Sequence, residues 1–181
     1  MGNKNIFSIQ RLTFSAVSLA LCMVLPFITG QVPEIGNMLC PMHIPVLLCG
    51  FICGWQYGAV VGIIAPILRS CMFGAPLLFP GAVSMAFELA VYGLMTGLLS
   101  QILPKKNIYV YINLIISMLS GRLVWGAVRF LIYGLGYTSF SFKMFIAGAF
   151  LQAIPGIIIQ IVLVPVVVIV LRNIKTRNFT E

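Results

Sequence analysis

The sequence predicts an all-α, polytopic membrane protein, a bundle of six transmembrane helices with both termini cytoplasmic. Three observations predict it. Of the 181 residues, 61% are hydrophobic and 8% charged, where an ordinary globular domain is roughly a quarter charged, and the mean hydropathy is +1.10. Apolar runs recur along the whole chain at the length a helix needs to cross a hydrocarbon core of about 30 Å, roughly 20 residues. A β-barrel would instead need short segments of sustained polar and apolar alternation, and no such segment occurs. The third observation is where the basic residues fall. With the N-terminus inside, Lys4, Arg11, Lys105, Lys106, Arg172, Lys175 and Arg177 all lie at cytoplasmic ends, while the outer loops hold Glu34 and Lys143. That asymmetry satisfies the positive-inside rule for six spans.

The first span, 10–29, follows a basic start as a secretory signal would, but its apolar run continues without a small-residue cleavage site, so it reads as a helix that stays. The second and third, 43–56 and 58–73, are short and form a helical hairpin around "GWQYG". Pro41 and Pro45 end the first outer loop and start the second helix, proline being tolerated in a first turn where its missing N–H is not needed. Gly50, Gly54, Gly58 and Gly62 recur every fourth residue, a smooth stripe along which neighbouring helices can pack tightly or slide. The fourth span, 81–103, carries Glu88; the fifth, 108–134, carries Arg122 and Arg129; the sixth, 143–171, carries Gln152. No linker or low-complexity tract interrupts them, which predicts one domain over 1–181.

The net charge of +8 is thus a topology signal. Its basic residues sit at separate helix ends and form no stripe, which argues against nucleic acid as a partner. Hydrolytic and ATPase mechanisms lack their parts, since the chain has one histidine, three acidic residues and no aspartate, and neither a nucleophile elbow nor a phosphate loop. The expectation is a protein that is not an enzyme and needs no cofactor. Cys22, Cys40, Cys49, Cys53 and Cys71 read as small hydrophobes within apolar helices. Cys49 and Cys53 lie four apart and could pair on a metal with His43, but nothing completes a tetrahedral site of the usual kind, so no metal is expected.

Ionisable residues inside spans are costly and mark sites or pathways. Arg69 falls near the outer end of the third span, Glu88 about 10 Å below the outer start of the fourth, and Arg122 and Arg129 in the outer half of the fifth. His43, opening the second span, and Gln152 reach a similar level. Arg122 and Arg129, seven apart, share a helix face with Trp125 near it. Rimmed by Trp125, Tyr133, Tyr137 and Phe79, this layer predicts a mostly apolar small-molecule pocket with a few orienting polar groups. The plainer alternative is that Glu88 pairs one arginine and the others snorkel outward. His43 either contacts ligand or bonds a loop carbonyl.

The block "GNMLCPMHIPVLLCGFICGWQYGAVVGIIAPILRS", the outer loop "FGAPLLFP" and "AFELAVYGLMTGLL" together resemble the substrate-binding S component of energy-coupling factor (ECF) vitamin transporters, most strongly from Pro33 to Leu99. The resemblance implies a six-helix subunit of the bacterial plasma membrane that captures a vitamin near the outer surface under its first, third and fifth loops. It implies docking on a transmembrane coupling subunit with two cytoplasmic ATPase subunits, and toppling in the lipid bilayer to release the vitamin inward. It also implies a docking face at Ala16 and Ala20 on the first helix, small residues that let another helix approach closely; their alternative role is internal packing. Arginine suits bidentate carboxylate recognition, so the surplus of arginines over Glu88 favours a carboxylate vitamin such as pantothenate or nicotinate. A neutral pyridoxine-like or riboflavin-like vitamin stays open, as do a structural six-helix protein of the cell envelope and a self-sufficient secondary transporter or channel.

Overall fold

The computed structural model of the protein describes residues 9–28, 39–134, 148 and 153–177. Among them lie six helices: α1 (Ile9–Ile28), α2 (His43–Cys53), α3 (Trp55–Phe73), α4 (Val83–Ile102), α5 (Asn107–Gly134) and α6 (Ile154–Arg177). Five are long and apolar enough to cross a membrane; α2, with its 11 residues, is the exception. At 1.5 Å per residue α2 rises only about 16 Å.

The sequence places the turn of the hairpin over several residues, whereas the structure makes it with Gly54 alone. Its φ of 101° and ψ of 172° suit a residue without a Cβ, so Trp55 and Gln56 belong to α3 rather than to the helix before it. The antiparallel pair then packs on α4 through backbone. A Cβ built on Gly58 would lie 2.6 Å from the Gly93 carbonyl oxygen, and one on Gly93 would overlap the Gly58 backbone. Gly50 meets Thr96 and Gly93, while Gly62 meets the Leu89 carbonyl. The glycines recurring every fourth residue therefore form the seat of α4, the close approach on which membrane helices rely when burial from lipid offers no driving force.

α2 is short and sits centrally, and its faces feed two cores. Val46, Cys49 and Cys53 pack with Cys22 of α1, Tyr57, Val61 and Ala65 of α3, and Leu89 of α4. Leu47 packs with Tyr92 of α4, Val110, Leu114 and Met118 of α5, and Val164 and Val168 of α6. Cys22, Cys40, Cys49 and Cys53 are buried and Cys71 is exposed. Large apolar side chains such as Phe14, Ile63, Phe130 and Val166 point outward, while Ser84, Thr96, Asn113 and Ser117 are buried. This inversion of the soluble pattern fits a lipid surround, in which polar groups must find partners inside the protein. Ser117 donates to Asn113 Oδ1 at 3.0 Å, Asn113 Nδ2 to the Thr96 carbonyl at 3.0 Å, and the Thr96 hydroxyl to the Tyr92 carbonyl at 2.7 Å. That chain fastens α4 to α5.

α3 stops at Gly74, whose left-handed φ of 69° lets its N–H return to the Ser70 carbonyl, a common helix ending. A wide turn over Leu78–Ala82, with Phe79 extended, leads into α4, so α4 proper begins at Val83 rather than 81. α6 also departs from expectation at its inner end, continuing past 171 to Arg177. Its apolar run has finished there, and the added turns take in the basic positions Arg172, Lys175 and Arg177.

Candidate functional site

Glu88 is the centre of the buried polar cluster. It lies 2% exposed on the inward face of α4, and three side chains converge on its Oε1. Tyr92, one turn further along α4, donates its hydroxyl at 3.0 Å. Arg122 Nη1 approaches from α5 at 3.2 Å and His43 Nε2 from α2 at 3.5 Å. The Tyr92 ring also lies 5.4 Å, centroid to centroid, from the His43 imidazole. It fits between α4 and α5 because residue 121 is glycine: a Cβ there would overlap the ring.

The entry to α2 fixes two of these groups. Cys40 adopts a left-handed φ of 47°, which is uncommon for a residue with a side chain. In that conformation its carbonyl accepts the His43 N–H at 3.0 Å, and its sulfur lies 3.7 Å from Arg122 Nη2. His43 therefore stands about 16 Å above the Gly54 turn, close to half the thickness of a hydrocarbon core. It is buried, whereas the sequence places it at the rim of a pocket.

The expected convergence of four charges is corrected by the structure. Glu88 meets Arg122, but Arg69 belongs to a separate cluster. Its Nη1 donates to the Met23 carbonyl of α1 at 3.0 Å, and its guanidinium lies 5.4 Å from the ring centroids of both Phe27 and Phe73. Pro26 has no N–H for the Cys22 carbonyl four residues back, and Arg69 binds the carbonyl next to it. Arg69 is thus a staple between α1 and α3, a cation held by two aromatic faces.

Arg129 lies two turns outward of Arg122. Its guanidinium covers the Trp125 ring at 4.8 Å, and its Nε donates to the Ser84 hydroxyl at 3.2 Å. Ser84 is held in turn by the carbonyls of Pro80 and Gly81 at 2.8 and 2.9 Å. The far edge of Trp125 reaches Gly148, where a Cβ would stand 2.9 Å from Cη2. Arg129 has no carboxylate partner among the described residues. Of the other expected site residues, Gln152 and Tyr137 lie outside the described residues, and Phe79 is exposed. Cys49 and Cys53 belong to the core on the α1 and α3 side, and among the described residues no group of three or more His, Cys, Asp or Glu could hold a metal. Ala16 and Ala20 are exposed on α1. Ala16 also lines an apolar groove of about 540 Å³ between α1 and α3, with Leu12, Leu19, Tyr57, Val60 and Ile64.

Three further buried groups are not anticipated from sequence. Tyr92 could have been found by its spacing of four from Glu88, which places it on the same helix face. Cys40 could not, because only the fold brings it to Arg122. Gln160 is the third: fully buried on α6, with neither amide atom hydrogen-bonded among the described residues. Its signal was plain, as the only polar side chain between 154 and 171. A buried polar group left unmatched costs about 1–3 kcal/mol.

What the cluster can do chemically is bind. Glu88 offsets the charge of Arg122, the surroundings are apolar, and several N–H groups remain available. Searches of the curated proteins and of the solved structures give no match. A family model does match, over residues 10–168, and its description is "ECF transporter, substrate-specific component". The match covers most of the chain, which therefore belongs to the family of substrate-specific components of ECF transporters.

Proposed function

We propose that this substrate-specific component captures one small vitamin at the site built around Glu88, Arg122 and His43, with Trp125 and Arg129 forming its outer wall. The observation that carries this reading is the buried polar cluster inside an otherwise apolar bundle, an expensive arrangement that membrane proteins keep for binding or transport. In this reading the bacterial plasma membrane holds the chain. A transmembrane coupling subunit with two ATPase subunits powers inward release, and the ATP chemistry belongs to those partners. Ala16 and Ala20 serve as docking positions, a role supported by their outward exposure on α1 and by the groove beside Ala16.

A carboxylate vitamin such as pantothenate or nicotinate is the preferred ligand. Arg122 is already balanced by Glu88 and Arg69 is occupied elsewhere, so the carboxylate is assigned to Arg129, whose fork suits bidentate recognition. A neutral pyridoxine-like or riboflavin-like vitamin is the second reading, favoured by the charge balance at Glu88 and Arg122. The test is equilibrium titration of detergent-purified protein with a panel of B vitamins, followed by tryptophan fluorescence, since Trp125 lies on the pocket wall. One vitamin should change the signal at a stoichiometry of one per chain; no change with any of them would refute the site.

A further inference from the structure

Leu47, Tyr92, Met118 and Val164 belong to one packed core, contributed by α2, α4, α5 and α6 in turn. One helical turn, about 5.4 Å, separates each from a polar residue on the outer side. Four positions before Leu47 is His43, and four before Tyr92 is Glu88. Four after Met118, on the helix that runs the opposite way, is Arg122. Four before Val164 is Gln160. The register therefore stacks a polar layer from four helices directly on an apolar one. Three members of the layer meet at Glu88 Oε1. The fourth, Gln160, is 0% exposed, and neither Nε2 nor Oε1 has a hydrogen-bond partner among the described residues. His43 Nδ1 and Arg122 Nε are likewise buried without hydrogen-bond partners among the described residues.

We propose that Gln160 is a specificity-determining ligand contact, whose amide reads a neutral group with both a donor and an acceptor, an amide or a hydroxyl, at the deep end of the captured vitamin. The inference rests on the binding function proposed above and deepens it. A primary amide offers one N–H face and one carbonyl face, so a ligand amide or hydroxyl satisfies both. His43 Nδ1 and Arg122 Nε supply further hydrogen-bonding groups in the same layer. Arg129, seven residues and about 10 Å outward of Arg122, then holds the carboxylate at the other end. A purely structural glutamine is the poorer explanation, because an amide that bonds no group among the described residues ties none of their helices together. The ligand class is thereby narrowed: pantothenate carries hydroxyls, an amide and a carboxylate, whereas nicotinate has no neutral donor.

The test compares the full-length wild-type protein with Gln160→Leu and Gln160→Met in detergent, by isothermal titration with pantothenate and panthenol and by thermal unfolding without ligand. Both variants should unfold at a higher temperature than wild type and bind pantothenate at least tenfold more weakly. Their preference for pantothenate over panthenol should stay unchanged, because Arg129 sets it. Pantothenate affinity within twofold of wild type in either variant would overturn the role of Gln160 while leaving the vitamin-binding function intact. Binding of nicotinate but not pantothenate by the wild type would overturn it too. A wild type that binds no vitamin would overturn the function itself, and this inference with it.

Discussion

Arg122 and Glu88 face each other across α5 and α4 at 3.2 Å, both almost fully buried. The pair balances its own charge, and so it organises the site without giving it a net field. It also constrains the variants that can be made. Removing one partner of a buried pair leaves the other charge uncompensated, at roughly 3–5 kcal/mol, whereas replacing both by apolar groups is often neutral or stabilising. Arg122→Leu should therefore lower thermal stability strongly, and the double variant Arg122→Leu, Glu88→Leu should recover most of the loss while failing to bind vitamin. Thermal unfolding in detergent checks the first part and titration the second. A double variant no more stable than Arg122→Leu would mean that the pair is not the main source of the effect.

The aromatic and hydroxyl partners of Arg129 lead to a separate expectation. Arg129→Ala should weaken binding of a carboxylate vitamin by roughly 2–5 kcal/mol and abolish the preference for the acid over its neutral analogue. Arg129→Lys should recover only part, since it keeps the charge and loses the planar fork. Titration with pantothenate beside panthenol measures both effects. Equal wild-type affinity for acid and alcohol would move the assignment to a neutral vitamin.

Docking has its own test on α1, where Ala16 and Ala20 are exposed. Ala16→Leu or Ala20→Leu should abolish vitamin uptake by cells that carry the coupling module, yet leave binding by the isolated subunit unchanged. Loss of binding together with uptake would show that these alanines serve internal structure.

The glycine seat makes a prediction about folding alone. Gly93→Ala places a methyl group in the Gly58 backbone, with no flexible side chain to give way. It should destabilise the protein severely or prevent its recovery from the membrane. Gly134→Ala, where nothing among the described residues lies within 4 Å, should be tolerated. Monodispersity on size-exclusion chromatography and thermal unfolding distinguish the two.

Much of this arrangement is legible from residue types. Six helices follow from apolar runs and basic helix ends, and a pairing of Glu88 with one arginine follows from the cost of hiding charge in lipid, whereas the approach of the His43 side chain to Glu88 is not read from residue types. The fate of Arg69 is not legible, because a residue near a helix end can turn to either neighbour, and only the packing of Phe27 and Phe73 decides it. The hairpin turn was blurred for a related reason: any of several glycines could break the helix, and the contact of Gly58 with Gly93 selects Gly54. Gln160 has a clear sequence signal, a lone polar side chain in an apolar run. Its meaning emerges only when its register against Val164 and Leu47 places it one turn above the apolar layer.

Native mass spectrometry of the detergent-purified protein, beside its Arg122→Leu, Glu88→Leu double variant, is the most direct test of vitamin capture at the Glu88 cluster. The account predicts one vitamin-sized adduct per chain in the wild type and none in the folded double variant. No adduct on the wild-type chain in the presence of any B vitamin, or an adduct that persists in the double variant, would contradict it.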